Sequence, residues 1–265
     1  MGRRSAGVPR FEDVTETTGT PVTAEGASMI ATRYHVAADL ARGKRVLELA
    51  CGSGQGLGLV GRAAARLVGG DLSAPLLRQA RVHYGGRVPL VRLSAESLPF
   101  AAGAFDVALC FEAAYYIPHV EQAFRELARV VSAGGTVAFV NANPERPDFN
   151  PSPYSTRYPN LGEIASLLSR TGFEPRVYGA FAVEAASSRD RVLGPLRHLA
   201  VRYRLIPSSM RAKSMLKRVL YGKLPPLGAV HDGMAEYESR VELDASTGSD
   251  NRYKNLYAVA VGTPR

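Results

Sequence analysis

The sequence predicts an α/β fold in which a mostly parallel sheet carries helices on both of its faces. Short apolar runs typical of buried strands alternate with amphipathic helical segments from residue 44 to about residue 141. The clearest unit, residues 44–71, reads as a strand, a glycine-rich turn, a helix and a second strand. Such alternation favours parallel strands, because a parallel pair needs a crossover helix to join it.

The first unit also carries the signature of a cofactor site. Val46, Leu47 and Leu49 form a short apolar run that suits a strand covered on both faces. Gly52, Gly54 and Gly56 follow it, where the chain must turn sharply and let a ligand approach its backbone. Asp71 comes 19 residues after Gly52, about the spacing at which a strand–helix–strand unit places a carboxylate on a ribose. The unit therefore predicts a nucleoside-containing cofactor.

A second glycine pattern raises the question of which cofactor binds. A literal GxGxxG at Gly56, Gly58 and Gly61, taken alone, would favour NAD. However, this match begins seven residues after the strand ends at Leu49, where the helix should already be running. The nicotinamide pattern needs its first glycine in the strand-to-helix turn, so that the pyrophosphate meets the helix N-terminus. The functional glycines are therefore expected upstream.

The turn itself resembles motif I of the class I S-adenosylmethionine (SAM)-dependent methyltransferases, acidic-x-Gly-x-Gly-x-Gly. Glu48 supplies the acid, and Ala50 stands in place of the first glycine. We expect this alanine to follow the strand without a positive φ. Later motifs of the same family are also matched in order and spacing. One is similar to residues 94–100 (SAESLPF) together with the Phe-Asp-Val that begins at Phe105, and another is similar to the Arg-Val-Val-x-x-Gly-Gly at 129–135.

This resemblance implies a Rossmann-like, mostly parallel seven-stranded sheet, with the last strand antiparallel beside the fifth. Within this family, the sequence resembles the methyltransferase type 11 group, which is found in bacterial glycan and natural-product pathways. We expect residues 1–26 to form a flexible arm or lid and residues 27–265 to form the methyltransferase domain. The core would comprise 44–184 and 251–263, with a helical insertion or cap at about 185–250.

Caps and periodicity place the remaining elements in order. Gly43 ends a first helix, Ser73 with Pro75 opens the helix after the second strand, and Gly172 closes the last core helix. Gly134 and Gly135 are expected to separate a helix from the fifth strand. The predicted helices span 27–42, 73–84, 120–131 and 161–171, and the later strands span 88–93, 105–111, 136–140, 177–184 and 255–261.

The family resemblance also implies the cofactor site. In the family, an acidic residue holds the adenine amino group at the position that precedes Ala95 in this chain. Ser94 occupies that position here, and its hydroxyl can still accept a hydrogen bond. We expect the Tyr34 side chain to pack in the core, and the alternative is that it reaches into the cofactor site. The predicted cofactor-binding residues are Glu48, Ala50, Cys51, Gly52, Ser53, Gly54, Asp71, Leu72, Ser94, Ala95, Glu96 and Phe111.

In this family the residues just after strand 4 face the reacting centre. Glu112, Tyr116 and His119 are therefore the catalytic candidates. His119 could take a proton from a hydroxyl, or could simply cap the helix that begins near Val120. A hydroxyl- and aromatic-rich segment follows strand 5, on the rim where α/β sheets bind ligands. It supplies the remaining substrate-binding candidates, which are Tyr115, Tyr154, Arg157 and Tyr158.

The net charge of +9 lies in a single segment, residues 189–223, which holds ten basic residues and one acidic residue. A solvated cap over the pocket is the favoured interpretation. Peripheral contact with an anionic membrane is the second, and it would suit a lipid-linked acceptor. Nucleic acid is not expected, since Tyr203 is the only aromatic residue near the basic side chains before Tyr221.

Composition limits the remaining function classes. Cys51 and Cys110 lie at predicted core strands, which suits a reducing compartment, so we expect a cytoplasmic protein. No metal-ligand motif occurs, and we expect no metal. The predicted function is methyl transfer from SAM to a small-molecule, glycan or lipid-linked acceptor, with oxygen favoured. A silent SAM-binding protein and an NAD-dependent oxidoreductase are the alternatives; the acceptor and the oligomeric state stay open.

Overall fold

Eight strands form one sheet in the computed structural model, which describes residues 11–147, 149–183 and 224–263. Five α-helices pack on this sheet within those ranges. The helices are α1 (Ala24–Ala41), α2 (Leu57–Ala63), α3 (Ala74–Tyr84), α4 (Val120–Val130) and α5 (Leu161–Arg170). The strands are β1 (Arg45–Leu49), β2 (Arg66–Asp71), β3 (Leu90–Arg92), β4 (Phe105–Phe111), β5 (Val131–Ala142), β6 (Phe173–Ala182), β7 (Val241–Leu243) and β8 (Tyr253–Gly262).

The strand order is β3-β2-β1-β4-β5-β8-β6-β7. The first five strands in this order pair in parallel, and β8 runs antiparallel between β5 and β6, as the sequence predicted for the last strand. The predicted count of seven strands was wrong, because β7 adds an eighth strand antiparallel to β6. A three-residue strand with one buried side chain, that of Leu243, is too short to show a periodic pattern.

The sheet buries both of its faces, which confirms the predicted α/β layering. Alternate residues of β1 point to opposite sides, so that Val46 packs with α1, α2 and α3 while Leu47 and Leu49 pack with α4 and α5. Each side forms its own continuous apolar cluster. The carboxyl ends of the central parallel strands are left at one edge, where the loops of the predicted site begin.

Several element boundaries differ from the prediction: β6 begins four residues earlier than expected, β8 is longer at both ends and β3 is shorter. Two further differences have physical reasons. Helix α1 begins three residues earlier than expected, because the Thr23 side chain accepts the N–H of Gly26 and caps the helix there. Strand β5 begins directly after α4, and the glycine pair lies inside it. Gly134 has a φ of +69°, and the register with β4 shifts over this stretch, so the glycines bend the strand instead of preceding it.

The predicted helical insertion lies partly outside the described residues. The basic segment 189–223 lies within residues 184–223, which the structure does not describe. Just beyond them, the N–H of Leu227 donates to the carbonyl of Thr20 (2.8 Å), and the N–H of Val230 donates to the carbonyl of Gln55 (2.9 Å). The chain leaving the insertion is thus attached to both the N-terminal segment and the glycine-rich turn. Within the described ranges, no helix combines the length and the apolarity needed to cross a membrane.

We predict that Gly56 is required for packing and not for its conformation. Its φ is an ordinary −95°, but an added Cβ would lie 1.8 Å from Cε1 of Tyr34. Gly56→Ala should therefore displace the Tyr34 ring and lower the free energy of unfolding by about 3 kcal/mol or more. Gly58→Ala is the matched control, because its Cβ would lie 3.4 Å from the nearest atom. Urea unfolding of both variants tests this, and equal effects would contradict it.

Candidate functional site

A cavity of about 750 Å³ opens at the carboxyl ends of the central strands, which is the edge where parallel sheets bind ligands. Its wall is built from four regions: helix α1, the turn after β1, the ends of β2 and β3, and the loops that follow β4 and β5. The N-terminal segment closes the same space, because Phe11, Val14, Thr15 and Glu16 also line it. The predicted nucleoside site and the predicted reacting centre therefore share one cavity.

Asp71 ties together the two turns at the nucleoside end. One carboxylate oxygen accepts the N–H of Gly52 (2.8 Å), and the other accepts the N–H of Ser73 (2.7 Å). Burial raises the pKa of Asp71, while these backbone hydrogen bonds act in the opposite direction. Ser73 in turn donates its hydroxyl to Glu12 of the N-terminal segment (2.6 Å). The end of β2 thus holds the glycine-rich turn and the N-terminal segment at the cavity.

Ala50 is in the left-handed region, with a φ of 58°, so the expectation that it avoids a positive φ was wrong. The reversal of the chain between Leu49 and Gly52, which has a φ of 58° itself, demands this conformation whichever residue is present. A non-glycine residue there costs on the order of 1–2 kcal/mol. Backbone strain of this kind is concentrated at functional sites.

Gly54 has a φ of 80°, as a sharp turn requires, and it has a second structural reason to be glycine. An added Cβ would lie 2.9 Å from the Tyr84 ring, and the Tyr84 hydroxyl donates to the Gly54 carbonyl (2.5 Å). The same hydroxyl accepts the N–H of Gly58 (2.9 Å). Gly54 does not line the cavity. Its bare backbone lets α3 pack against the turn.

Glu48 is buried directly behind the cavity wall. Its Oε1 accepts a hydrogen bond from the Tyr34 hydroxyl (2.7 Å), and its Oε2 has no partner among the described residues. Burial raises the pKa of Glu48 from 4.5 to about 7, although the Tyr34 hydrogen bond and the charge of Arg33 lower it. The ring of Tyr34, which does line the cavity, covers this carboxyl. Tyr34 is therefore both a core residue and part of the wall.

The cavity brings together most of the residues predicted to bind the cofactor. Those in its wall are Ala50, Cys51, Gly52, Ser53, Asp71, Leu72, Ser94, Ala95, Glu96 and Phe111, whereas Glu48 and Gly54 lie behind it. The wall also holds buried polar atoms that lack a hydrogen-bond partner among the described residues, including Ser53 Oγ and Gln55 Nε2. Such atoms suit a polar ligand, because an unpaired buried polar group is otherwise costly.

Glu112 follows β4 in a strained conformation, with a φ of 51°. Its Oε1 accepts from Asn255 Nδ2 (3.0 Å), and its Oε2 accepts from the N–H of Ala142 and the hydroxyl of Tyr115, both at 3.2 Å. Burial raises the pKa of Glu112, while the positive charge of Arg33 lowers it. The carboxyl is thus oriented by three donors at the centre of the cavity wall.

Aromatic side chains behind Glu112 support this end of the cavity. Tyr116 lines it and shares a hydrogen bond with Ser152 Oγ (2.5 Å), and the Phe11 ring packs edge-on against it. Tyr115 also lines the cavity, and Tyr158 stacks behind it with a centroid separation of 4.0 Å. Tyr115 and Tyr116 therefore line the cavity directly, whereas Tyr158 supports the Tyr115 ring from behind.

The structure does not bring the other predicted substrate and catalytic residues into this cavity. Tyr154 is exposed, and Arg157 pairs with Glu163 at the surface. The side chain of His119 is exposed and makes no capping hydrogen bond, while its N–H donates to Glu96 Oε1 (2.8 Å). A helical turn at 114–116 redirects the chain before α4, and His119 lies beyond that turn, outside the cavity. His119 and Arg157 line a separate groove between α4 and α5.

Sequence reasoning missed several residues that line the cavity. Arg33 and Arg146 bring two cations into its wall, and Asn255 comes from β8. A detectable signal existed for Arg33, because it stands beside the buried helix face formed by Ile30, Tyr34 and Ala37. Asn255 carried none, since a single polar residue at a strand start is common.

The cysteines are reduced and buried. Cys51 lies in the cavity wall, and Cys110 lies within β4. Burial raises the pKa of both thiols, that of Cys110 to about 12, so neither is poised as a nucleophile. In the part of the chain that the structure describes, no group of three or more His, Cys, Asp or Glu side chains could hold a metal ion.

Comparison with known families identifies the domain around this cavity. Residues 47–139 match the family model described as a methyltransferase domain. This range covers β1 to β5, and includes the turn after β1, the residues after β3 and the loop after β4. For residues 47–139, the sequence-based assignment to the class I SAM-dependent methyltransferases is therefore confirmed.

Several curated relatives carry methyltransferase names. The chain is 36% identical to a malonyl-[acyl-carrier protein] O-methyltransferase of Legionella pneumophila over 107 residues, which cover 38% of this chain and 37% of that protein. It is 31% identical over 147 residues to a probable SAM-dependent methyltransferase of Mycolicibacterium smegmatis, 53% and 56% of the two chains. It is 37% identical to a phthiotriol/phenolphthiotriol dimycocerosates methyltransferase of Mycobacterium leprae over 106 residues, which cover 38% of this chain and 39% of that protein. The chain spans about half or less of the length of these relatives.

Solved structures support the fold alone. The YcgJ protein from Bacillus subtilis superimposes with a TM-score of 0.57 at 18% identity, over 88% of this chain and 98% of that one. At this identity the likeness says nothing about the acceptor.

We predict that Glu48 makes stability depend on pH. A carboxyl whose pKa rises on folding favours the folded state at low pH, and that contribution is lost as pH rises through about 7. Glu48→Gln has no charge to bury, so its free energy of unfolding relative to that of the wild type should rise by about 2.5 kcal/mol between about pH 5 and pH 8. Glu174→Gln, at an exposed site, is the control. Urea unfolding across pH measures this, and a difference that does not change with pH would contradict it.

Proposed function

We propose that this chain, whose residues 47–139 are a class I SAM-dependent methyltransferase domain, transfers a methyl group from SAM to an oxygen of a small-molecule, glycan or lipid-linked acceptor. One observation carries the proposal. A single cavity at the carboxyl ends of the strands contains the glycine-rich turn, Asp71, the residues after β3 and Glu112. A cofactor and an acceptor bound there would share one enclosed space, which methyl transfer requires.

The nucleoside half of the cofactor is assigned to the ends of β2 and β3. Asp71 would accept hydrogen bonds from ribose hydroxyls, and Ser94 and Ala95 would meet the adenine edge. The turn after β1, with the unpartnered Ser53 Oγ and Gln55 Nε2, would receive the amino-acid half. When bound, SAM supplies an activated methyl group on a sulfonium.

Glu112 is the proposed proton acceptor for a hydroxyl substrate. It is held by three donors, and burial raises its pKa toward the range useful for a general base. The acceptor oxygen would lose its proton to this carboxylate as it forms the bond to the methyl carbon, and SAH would leave. Tyr116 beside it would position the acceptor. His119, exposed on the neighbouring groove, is not assigned a step.

The relatives support a carrier- or lipid-linked acceptor without defining it. One is named for malonyl-[acyl-carrier protein] and another for phthiotriol and phenolphthiotriol dimycocerosates. The apolar side chains Met29, Ile30 and Ile117 in the cavity wall suit an acceptor with an aliphatic part. The basic composition of residues 189–223 would favour peripheral contact with an anionic membrane for such an acceptor.

A SAM-binding protein without turnover is the second candidate, because the same cavity would bind the cofactor whether or not an acceptor reacts. Incubation with SAM and bacterial extract separates the two: the proposal expects SAH to form together with a metabolite that has gained one methyl group. SAH binding without any product would favour the silent binder. NADH binding without SAH binding would overturn the cofactor assignment and favour an oxidoreductase.

We predict that Asp71→Asn weakens SAH binding by about tenfold or more. The variant loses a charged acceptor for the ribose and places an amide where two backbone N–H groups now donate. Asp39→Asn is the matched control, because Asp39 is an exposed residue of α1 that pairs with Arg42. Calorimetric titration measures both, with thermal melting to show that each variant is folded. Unchanged SAH affinity in folded Asp71→Asn would contradict the assignment.

A further inference from the structure

We propose that the acceptor carries two hydroxyl groups on adjacent carbons, and that Asn255 binds the hydroxyl next to the one that is methylated. This inference rests on the proposed function and names the substrate class for the same site. It assigns Asn255 a role in specificity that no sequence motif indicated, while Glu112 keeps the role of proton acceptor. The two side chains together present two neighbouring hydrogen-bond acceptors to a substrate in the cavity.

The order of the strands places Asn255 at the acceptor end of the cavity. The proposed nucleoside residues follow β2 and β3, whereas Glu112 follows β4. Asn255 lies on β8, two strands beyond β4 on the side away from β2 and β3, and it pairs in register with Ala142 of β5. Its side chain contacts Glu112, so both residues belong to the same end.

Asn255 has hydrogen-bonding capacity that the described residues do not use. The residue is 6% exposed and lines the cavity. Its Nδ2 donates to Glu112 Oε1 (3.0 Å), whereas its buried Oδ1 has no partner among the described residues. An amide oxygen has two acceptor sites, and leaving both unused away from water is costly. A hydroxyl of a bound acceptor would satisfy this oxygen.

Glu112 determines the orientation of the Asn255 amide. The N–H of Ala142, the hydroxyl of Tyr115 and the amide of Asn255 all lie within hydrogen-bond distance of its carboxyl. Three donors favour the carboxylate form, which can only accept. The NH₂ group of Asn255 therefore faces Glu112, and Oδ1 is the free end. The terminal torsion of an asparagine is soft, so that Oδ1 can turn towards a ligand in the cavity.

Glu112 has one acceptor site left for the reacting hydroxyl. Its Oε2 accepts from Ala142 and Tyr115, which uses both lone pairs of that oxygen. Among the hydrogen bonds of the described residues, Oε1 accepts only that of Asn255, because Arg33 Nη1 at 4.0 Å is beyond hydrogen-bond distance. One hydrogen bond and one amide group separate the open site on Oε1 from Oδ1. Hydroxyls on adjacent carbons match so short a span.

The charged groups around Glu112 balance one another, which suits neutral donors. Arg33 and Arg146 bring two cations to the cavity wall, and Glu16 and Glu112 bring two anions. Burial acts to lower the pKa of Arg33, and the charges of Glu112 and Glu16 raise it. Burial acts to raise the pKa of Glu112, and the charges of Arg33 and Arg146 lower it. A pair of hydroxyls donates hydrogen bonds here without adding a charge.

The side chains beside Glu112 indicate suitable probes. Phe11, Tyr116 and Ile117 line the cavity and would pack against the carbon skeleton of an acceptor. Catechol carries two hydroxyls on adjacent carbons of one ring. Hydroquinone carries the same two hydroxyls on opposite carbons, and phenol carries only one. These three probes therefore differ in the number and the spacing of their hydroxyls and not in their ring.

The test is calorimetric titration of the SAH-saturated protein with these three probes. Catechol should bind the wild type about fivefold or more tightly than either hydroquinone or phenol, because only catechol reaches both acceptors. Asn255→Leu should remove this preference, whereas Asn255→Asp, which keeps an oxygen near the position of Oδ1, should retain part of it. Asn251→Leu is the matched control, because Asn251 is exposed just before β8 and does not line the cavity.

Two results would overturn the proposal. One is equal binding of the three probes to the wild type, which needs no variant to fold. The other is an unchanged preference for catechol in Asn255→Leu, once thermal melting has shown that this variant is folded.

A second titration decides whether Asn255 serves the acceptor or the cofactor. SAH carries an amino-acid group, and methylthioadenosine is the same nucleoside without it. The proposal expects Asn255→Leu to bind both as the wild type does. Weaker binding of SAH alone would assign Asn255 to the cofactor and overturn the proposal. Failure of the wild type to bind either nucleoside would instead overturn the proposed function, so the two failures are distinguishable.

Discussion

The hydrogen bond between Tyr34 and Glu48 joins the first helix to the first strand, and the geometry of the site depends on it. It holds the Tyr34 ring against Gly56, where no side chain fits, and against the edge of Phe111. Helix α1 is thereby docked over the carboxyl ends of the strands and becomes one wall of the cavity. The position of Arg33 follows directly, because it precedes Tyr34 in that helix.

This arrangement is costly for stability, which indicates that it is kept for function. Glu48 is a buried carboxyl with one unpartnered oxygen, and a nonpolar pair would fill the same space without a charge. Ala50 and Glu112 are in the left-handed region at the ends of adjacent strands, at further cost. All three residues lie in or directly behind the cavity wall. Strain and buried charge are therefore concentrated where a cofactor and an acceptor are proposed to meet.

The sequence predicted the parallel core and most of the cofactor wall because these depend on short-range patterns. Glycine spacing, the acid after β2 and the motif after β3 are local, and they led to the cavity. The acceptor end could not be predicted in the same way. Arg33, Glu112 and Asn255 are separated by more than 200 residues of chain, and only the sheet order brings them together. The position of His119 outside the cavity could not be predicted either, because motif position does not reveal where a turn redirects the chain.

Hydrogen–deuterium exchange of the full chain, with and without SAH, tests the central claim most directly, since that claim places the cofactor in the cavity at the strand ends. SAH should slow amide exchange in the turn at 50–55, around Asp71 and at 94–97. The groove between α4 and α5 should be unaffected. Protection confined to that groove, or no protection in the turn after β1 at saturating SAH, would contradict the account.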